Sequence, residues 1–171
     1  MTRPGPPEAR TMTRRYCVCF ESCGEGVLVS VPALPGCFSF GPTRAEAERR
    51  IREAAALYLD VSLRTGDAIP DNESLRPMVA SEGCAVTFMT FAASAVKPGA
   101  RPRGRPESPI AGYEIEGVSR GHLLARRPVD HRKVVLPRFD GGDAPQAVRR
   151  MIHRVLIGDR SFHVPFFRTG G

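Results

Sequence analysis

The sequence predicts an α+β protein made of two small antiparallel sheets, each covered by one helix. Apolar residues alternate in several short segments of the 171-residue chain, as they do in strands. In two longer segments they recur every three or four residues, which is typical of amphipathic helices. A stretch rich in proline and arginine at residues 96–110 separates two such groups of segments. The predicted order is β-β-β-α-β, a linker, and then β-β-β-α.

Three strands are predicted first. Tyr16, Val18 and Phe20 fall on one face of a segment whose other face carries Cys17 and Cys19. A polar turn at residues 21–25 leads to a second alternating run at 27–31, which predicts a hairpin. The Pro-Ala-Leu-Pro-Gly turn at 32–36 precedes a third short strand at 37–40.

A helix and a last strand complete the first unit. Thr43 and Glu46 have the spacing of a capping box, and Gly66 followed by Pro70 gives a stop signal. Between them runs one apolar stripe, formed by Ala47, Ile51, Ala54, Tyr58 and Val61. A final strand at 84–91 places Val86 and Phe88 on one face and Met89 and Phe91 on the other.

The five cysteines and the N-terminal sequence indicate the redox state, the absence of a metal site and the cellular compartment. The odd number argues against a closed disulfide framework, and the spacing of Cys17, Cys19, Cys23 and Cys37 lacks the paired C-x-x-C motifs of a zinc site. We therefore expect small, reduced strand cysteines, no metal and no cofactor. With no membrane span or signal peptide recognisable, we expect a cytoplasmic protein.

The net charge of +7 is divided unevenly. Residues 15–91 have seven arginines against ten acids, and residues 92–171 have fifteen basic residues against seven acids. Such asymmetry predicts a partner of opposite charge, which is either nucleic acid or the other half of the chain.

The first unit resembles the N-terminal domain of HicB-type antitoxins. The motifs that carry the resemblance are the V-S-VP-A-LPGC-F-S-F-G-P-T run, the capped helix ending in Tyr58-Leu59, and the tail from Gly66 to Pro70. The resemblance implies a partial ribonuclease H-like fold without nuclease residues. It also implies that this domain masks a small toxin ribonuclease and assembles into homo-oligomers. Many such antitoxins add a domain that binds operator DNA, but no such element follows Phe91, so we do not expect operator binding.

After the linker, strands are predicted at 113–118, 123–127 and 133–136, followed by a helix from Pro145 to Leu156. Arginines surround the apolar stripe of this helix. A basic helix face suits contact with an RNA or DNA backbone, although a solvated surface would have the same pattern.

This second unit resembles HicA-type toxins in its AGYEIEGVSRGHLLARRP, RKVVLP and APQAVRRMIHRVLIGDRSF segments. The resemblance implies a fold like that of a double-stranded RNA-binding domain and places His122 at the family's catalytic position. A neutral histidine can move the proton of a ribose hydroxyl while arginines hold the phosphate. The phosphate-binding candidates are Arg120, Arg126, Arg127, Arg149 and Arg150.

The second unit also departs from that family. Arg120-Gly121 replaces Gly-Ser before the histidine, and the linker stands where the family's first helix belongs. One face of the sheet is then either covered by the first unit or left open. A polar, non-catalytic His122 on a vestigial strand is favoured over a catalytic one.

The sequence thus predicts an antitoxin that masks the RNA-binding surface of a HicA-type toxin, in cis on its own second unit or in trans on a complete toxin. The alternatives are a self-inhibited ribonuclease using His122 and a nucleic-acid-binding regulator. The predicted organisation is a disordered tail (1–14), a HicB-like domain (15–95), a linker (96–110), a HicA-like domain without its first helix (111–163) and a tail (164–171).

Overall fold

A computed structural model describes residues 10–71, 84–95, 108, 110–139 and 143–156. The predicted linker and the tail at 164–171 lie almost wholly outside these residues. We call residues 10–95 the N-terminal part and residues 108–156 the C-terminal part. In chain order the elements are β1 Arg10–Cys23, β2 Gly26–Ser30, β3 Phe38–Gly41, α1 Arg44–Thr65, β4 Cys84–Ala95, β5 Glu114–Val118, β6 His122–Arg126, β7 Lys133–Pro137 and α2 Gln146–Leu156.

Two antiparallel sheets form, as the alternating segments predict. The N-terminal sheet has the order β3-β2-β1-β4, and the C-terminal sheet has the order β5-β6-β7. The mixed α+β class is therefore confirmed. None of the helices in the described ranges is long and apolar enough to cross a membrane.

Helix α1 begins and ends where its caps predict. The Thr43 hydroxyl accepts a hydrogen bond from the Glu46 N–H at 3.2 Å, and Gly66 closes the helix with φ +74°. The whole predicted stripe from Ala47 to Val61 is buried. The stripe packs on the face of the N-terminal sheet that presents Tyr16 and Val18.

Strand β1 is longer than expected. It begins at Arg10, inside the stretch predicted to be a disordered tail, because residues 10–15 pair with residues 90–95 of an equally lengthened β4. The segment Thr11-Met12-Thr13-Arg14 has too little apolar alternation to be recognised as a strand. Residues 1–9 lie outside the described range.

The cysteines also differ from expectation. Cys19 of β1 and Cys84 of β4 form a disulfide, whereas all five cysteines were expected to be free. The register between β1 and β4 sets Cys84 opposite Glu21, diagonally next to Cys19. Spacing along the chain carries no information about that register, so the pair could not be found from the sequence.

The two parts of the chain share both hydrophobic cores. Leu124 and Val135 of the C-terminal sheet pack into the core under α1, and Leu28, Phe38 and Phe40 of the N-terminal sheet pack into the core under α2. Helix α1 approaches the C-terminal sheet so closely that a Cβ at Gly117 would lie 2.8 Å from the Leu57 side chain. The sheet face that was expected to lack a helix is therefore covered by α1.

Candidate functional site

His122 lies at the centre of the contact between the two parts. It begins β6 and faces α1, and its side chain is fully buried. Its Nε2 atom lies 2.8 Å from the Ser39 hydroxyl and its Nδ1 atom lies 3.1 Å from a Glu53 carboxylate oxygen. Both nitrogens of the candidate catalytic ring are thus bonded to residues of the N-terminal part.

Local structure places each partner of His122. Ser39 is the helix-facing residue of β3, whose flanking Phe38 and Phe40 point to the opposite face. The Gly121 N–H donates to the second oxygen of Glu53 at 3.0 Å, so the carboxylate is held from two sides. A Cβ at Gly121 would lie 2.7 Å from Glu53, which explains why this approach suits glycine.

The electrostatics favour a neutral histidine beside a charged carboxylate. Burial lowers the pKa of His122, and Glu53 offsets this only in part. Burial alone would raise the pKa of Glu53, but hydrogen bonds from Gly121, Ser119 and His122 bring it below its ordinary value. Since a carboxylate only accepts, Nδ1–H donates to Glu53 and Nε2 accepts from Ser39.

The order hydroxyl, imidazole, carboxylate is also that of a hydrolase triad. Ser39 and His122 both have 0% exposed surface, however, so no substrate can reach the hydroxyl in this arrangement. The arrangement serves as a hydrogen-bonded contact between the two parts.

A second polar contact lies around Asp67. Its carboxylate binds the Lys133 ammonium at 3.2 Å and the Arg126 guanidinium at 2.9 Å. The Lys133 side chain is only 6% exposed and also bonds the Ser62 hydroxyl and stacks over the Tyr58 ring. Burial alone would raise the pKa of Asp67, but hydrogen bonds from Thr65 and Lys133 and the charges of Lys133 and Arg126 bring it below its ordinary value. Two basic residues of the C-terminal part thus pair with one acid of the N-terminal part.

Two further hydrogen bonds, each donated by a backbone N–H of the C-terminal part, join the two parts. The Val135 N–H donates to the Gly36 carbonyl oxygen at 2.9 Å, which brings β7 alongside the turn before β3. Glu25, at the β1–β2 turn, accepts hydrogen bonds from the Gln146 N–H at 2.9 and 3.1 Å. A carboxylate at this place caps the first turn of α2 and suits the positive end of the helix.

Comparison with known proteins assigns the N-terminal part. Residues 16–97 match the family model described as a HicB_like antitoxin of bacterial toxin-antitoxin systems. The UPF0150 protein Ta0767 of Thermoplasma acidophilum is 44% identical over 57 residues, which are 33% of this chain and 83% of that protein. Residues 16–97 of the chain are a HicB-like antitoxin domain.

Another relative is matched over a smaller share of its own length. An uncharacterized 14.9 kDa protein in the rep-hol intergenic region of Haemophilus phage HP1 is 33% identical over 64 residues, 37% of this chain. The chain spans about half of that relative, 48% of its length.

Two solved structures are similar to this chain with low TM-scores. One is a HicA3 and HicB3 toxin-antitoxin complex, with 24% identity, a TM-score of 0.37, and coverage of 43% of this chain and 93% of that chain. The other is a crystal structure of antitoxin HicB3, with 18% identity, a TM-score of 0.37, and 85% coverage of both chains.

The residues that join the two parts lie partly inside the HicB-like match and partly beyond its end. Gly36, Ser39, Glu53 and Asp67 lie inside the HicB-like match, whereas β5, β6, β7 and α2 lie beyond its end at residue 97. The HicB-like domain thus supplies the side chains that bond His122, which are Ser39 and Glu53, and those that contact the Lys133 ammonium, which are Asp67, Ser62 and Tyr58.

The five candidate RNA-binding arginines do not form one open cluster. Arg126 is bound to Asp67, Arg127 to Asp130 and Arg149 to Asp143. Arg120 and Arg150 are exposed, one beside the β5–β6 turn and one on α2.

Proposed function

We propose that this chain is an antitoxin of a toxin–antitoxin system that carries its own toxin-like unit and masks it in cis. The HicB-like domain neutralises a HicA-type, mRNA-cleaving unit, of which the C-terminal part is a shortened form. The masked surface is the sheet face around His122. The observation that carries the proposal is the complete burial of His122 between Ser39 and Glu53.

Charge supports the same pairing. Asp67 and Glu25 of the acidic N-terminal part engage Lys133 and the positive end of α2 in the basic C-terminal part. Complementary charges of this kind select a partner and set its orientation. RNA would need the same basic groups, so binding of the HicB-like domain and binding of RNA would exclude each other.

The same surface would serve a complete HicA-type toxin in trans. Gly36, Ser39, Glu53 and Asp67 would then contact the incoming toxin after the C-terminal part has left. The tethered unit has a high effective concentration, so a trans partner must compete with it. Neutralisation in trans is therefore the secondary mode of this antitoxin.

A self-inhibited ribonuclease is the alternative that His122 supports. In the closed form the Nε2 atom already accepts from Ser39, and no ribose hydroxyl can approach it. Release of the HicB-like domain would free that lone pair for proton transfer. Cleavage would then depend on His122 and on opening of the interface.

Opening the interface in the full chain tests the proposal. Asp67→Arg places a positive charge against Lys133 and Arg126, so the two parts should separate and RNA affinity should rise roughly tenfold or more at low salt. Asp71→Arg is the matched control, because it changes the charge equally at a carboxylate that is 82% exposed. Binding is measured by fluorescence anisotropy with a single-stranded RNA, with circular dichroism as the check on folding.

Equal RNA affinity of the Asp67→Arg and Asp71→Arg chains would overturn the masking proposal. Cleavage of the RNA by the opened chain, lost in Asp67→Arg/His122→Ala, would favour the ribonuclease. Binding without cleavage would favour an antitoxin that holds an inactive toxin-like unit.

A further inference from the structure

The disulfide between Cys19 and Cys84 lies on the face of the N-terminal sheet that is turned away from α1. Both cysteines are partly exposed, and together with Met151 and Val155 of α2 they line a cavity of about 300 Å³. A cavity of this size has room for several water molecules or for a small thiol. Exposed disulfides are the ones that small thiols reduce, whereas buried ones resist reduction. The Cys19–Cys84 bond is therefore accessible to redox reagents.

This disulfide joins the two ends of the segment that contacts the C-terminal part. Gly36, Ser39, Glu53 and Asp67 all lie between residues 19 and 84. A cross-link over a separation of 65 residues restricts the unfolded chain strongly, so it stabilises the folded HicB-like domain. Reduction removes this contribution and leaves the fold to its cores and its hydrogen bonds.

Strand pairing keeps the two cysteines close together when the bond between them is open. Strands β1 and β4 pair without a shift in register, and this pairing holds Cys19 diagonally next to Cys84 with the Cα atoms 6.1 Å apart. That separation lies within the range that disulfides span. The bond can therefore form again without any rearrangement of the sheet.

The other three cysteines, Cys17, Cys23 and Cys37, are free. Burial raises the pKa of the Cys37 thiol, and it also raises the pKa of Cys17. Since the thiolate is the form that attacks a disulfide, both are poor competitors in exchange. The Cys23 thiol donates a hydrogen bond to the Gly26 carbonyl oxygen within its own turn. Oxidation is therefore directed to the pair that the strands hold together.

We propose that Cys19 and Cys84 form a reversible thiol–disulfide switch that sets the stability of the HicB-like domain. A hydroperoxide oxidises one thiol to a sulfenic acid and is itself reduced to water or an alcohol. The second thiol then displaces water and forms the disulfide.

Two molecules of a small thiol such as glutathione reverse the reaction. The first forms a mixed disulfide and frees one cysteine thiol, and the second frees the other cysteine and leaves as the oxidised dimer. The consequence for masking rests on the proposed function, because the stabilised segment is the one that covers His122. The switch itself concerns only the stability of the domain.

Thermal unfolding of the full chain in its two redox states tests the switch. The folded wild-type chain is treated with excess reduced glutathione or with hydrogen peroxide, and the Cys19–Cys84 bond is quantified by alkylation and mass spectrometry. The bond should open in glutathione and return with peroxide. The oxidised chain should unfold, by circular dichroism, at a temperature at least roughly 5 °C higher.

Cys19→Ser/Cys84→Ser should unfold at the temperature of the reduced wild-type chain in both conditions. Cys17→Ser is the matched control, because it removes a partly exposed thiol from the same face of β1 and should keep the full difference.

Equal unfolding temperatures of the oxidised and reduced wild-type chains would overturn the switch without reference to any variant. A disulfide that excess glutathione does not open in the folded chain would overturn it as well. Neither measurement involves RNA or a toxin, so failure of the switch and failure of the proposed masking are distinguishable.

Discussion

Replacing Asp67 with alanine should lower the free energy of unfolding by about 3 kcal/mol, because it leaves Lys133 charged and buried without its partner. The Lys133 side chain is 6% exposed, and without the carboxylate its ammonium group is left with the Ser62 hydroxyl and the Tyr58 ring. Arg126 loses the same acid at 2.9 Å. Urea denaturation of the full chain followed by circular dichroism measures the loss.

Two further variants test whether the loss of stability comes from the unpaired Lys133 charge or from the removal of any carboxylate. Lys133→Met removes the buried charge together with its need for a partner, and it should cost less than about 1 kcal/mol. Asp71→Ala removes a carboxylate that is 82% exposed and should leave stability nearly unchanged. If Asp67→Ala were no more costly than Asp71→Ala, Lys133 would not depend on Asp67.

Replacing Gly36 with alanine should cost about 3 kcal/mol, because two effects act at one residue. Gly36 has φ +84°, and a Cβ there would lie 2.2 Å from the Lys133 carbonyl oxygen. The backbone of β7 would have to move away, and the bond from Val135 to Gly36 would lengthen or break.

Gly66→Ala is the matched control for Gly36→Ala. Gly66 has a similar φ of +74°, but nothing lies within 4 Å of the position its Cβ would take. It should therefore show the backbone cost alone, about 1 kcal/mol. The difference between the two variants measures the contact between the N-terminal and C-terminal parts. Equal losses would mean that β7 does not lie against the Gly36 turn.

Local signals in the sequence predicted most of the secondary structure. Thr43 and Gly66 fix the ends of α1, because capping is a local interaction whose residues lie within one turn. Alternation likewise located β2, and the turn at 32–36 located the start of β3. The resemblance to HicB-type antitoxins, carried by the turn at 32–37 and the helix after it, was confirmed by the family match at 16–97.

The candidate site was predicted only in part. His122 was selected by its resemblance to a toxin histidine, but its partners Ser39 and Glu53 were not identified. They are 83 and 69 residues away along the chain, and their roles follow from how α1 and β3 lie against β6. A serine between two phenylalanines and an acid on a helix surface are common, so neither carries a local signal.

The uneven charge of the two halves was the more useful indication of contacts between residues far apart along the chain. It indicated that the two halves could attract each other, and Asp67, Lys133 and Arg126 are where opposite charges meet. It could not indicate which acids and bases pair, because that depends on the docking of the sheets. The Cys19–Cys84 disulfide was missed for the same reason.

Chemical modification of histidine tests most directly the central claim that the HicB-like domain covers His122. The folded full chain is treated briefly with diethyl pyrocarbonate, and each histidine is quantified by mass spectrometry. His153 is exposed on α2 and reports the reactivity of an open imidazole, whereas His122 should react at least roughly tenfold more slowly. Modification of His122 at the rate of His153 would contradict the masking of His122 in cis.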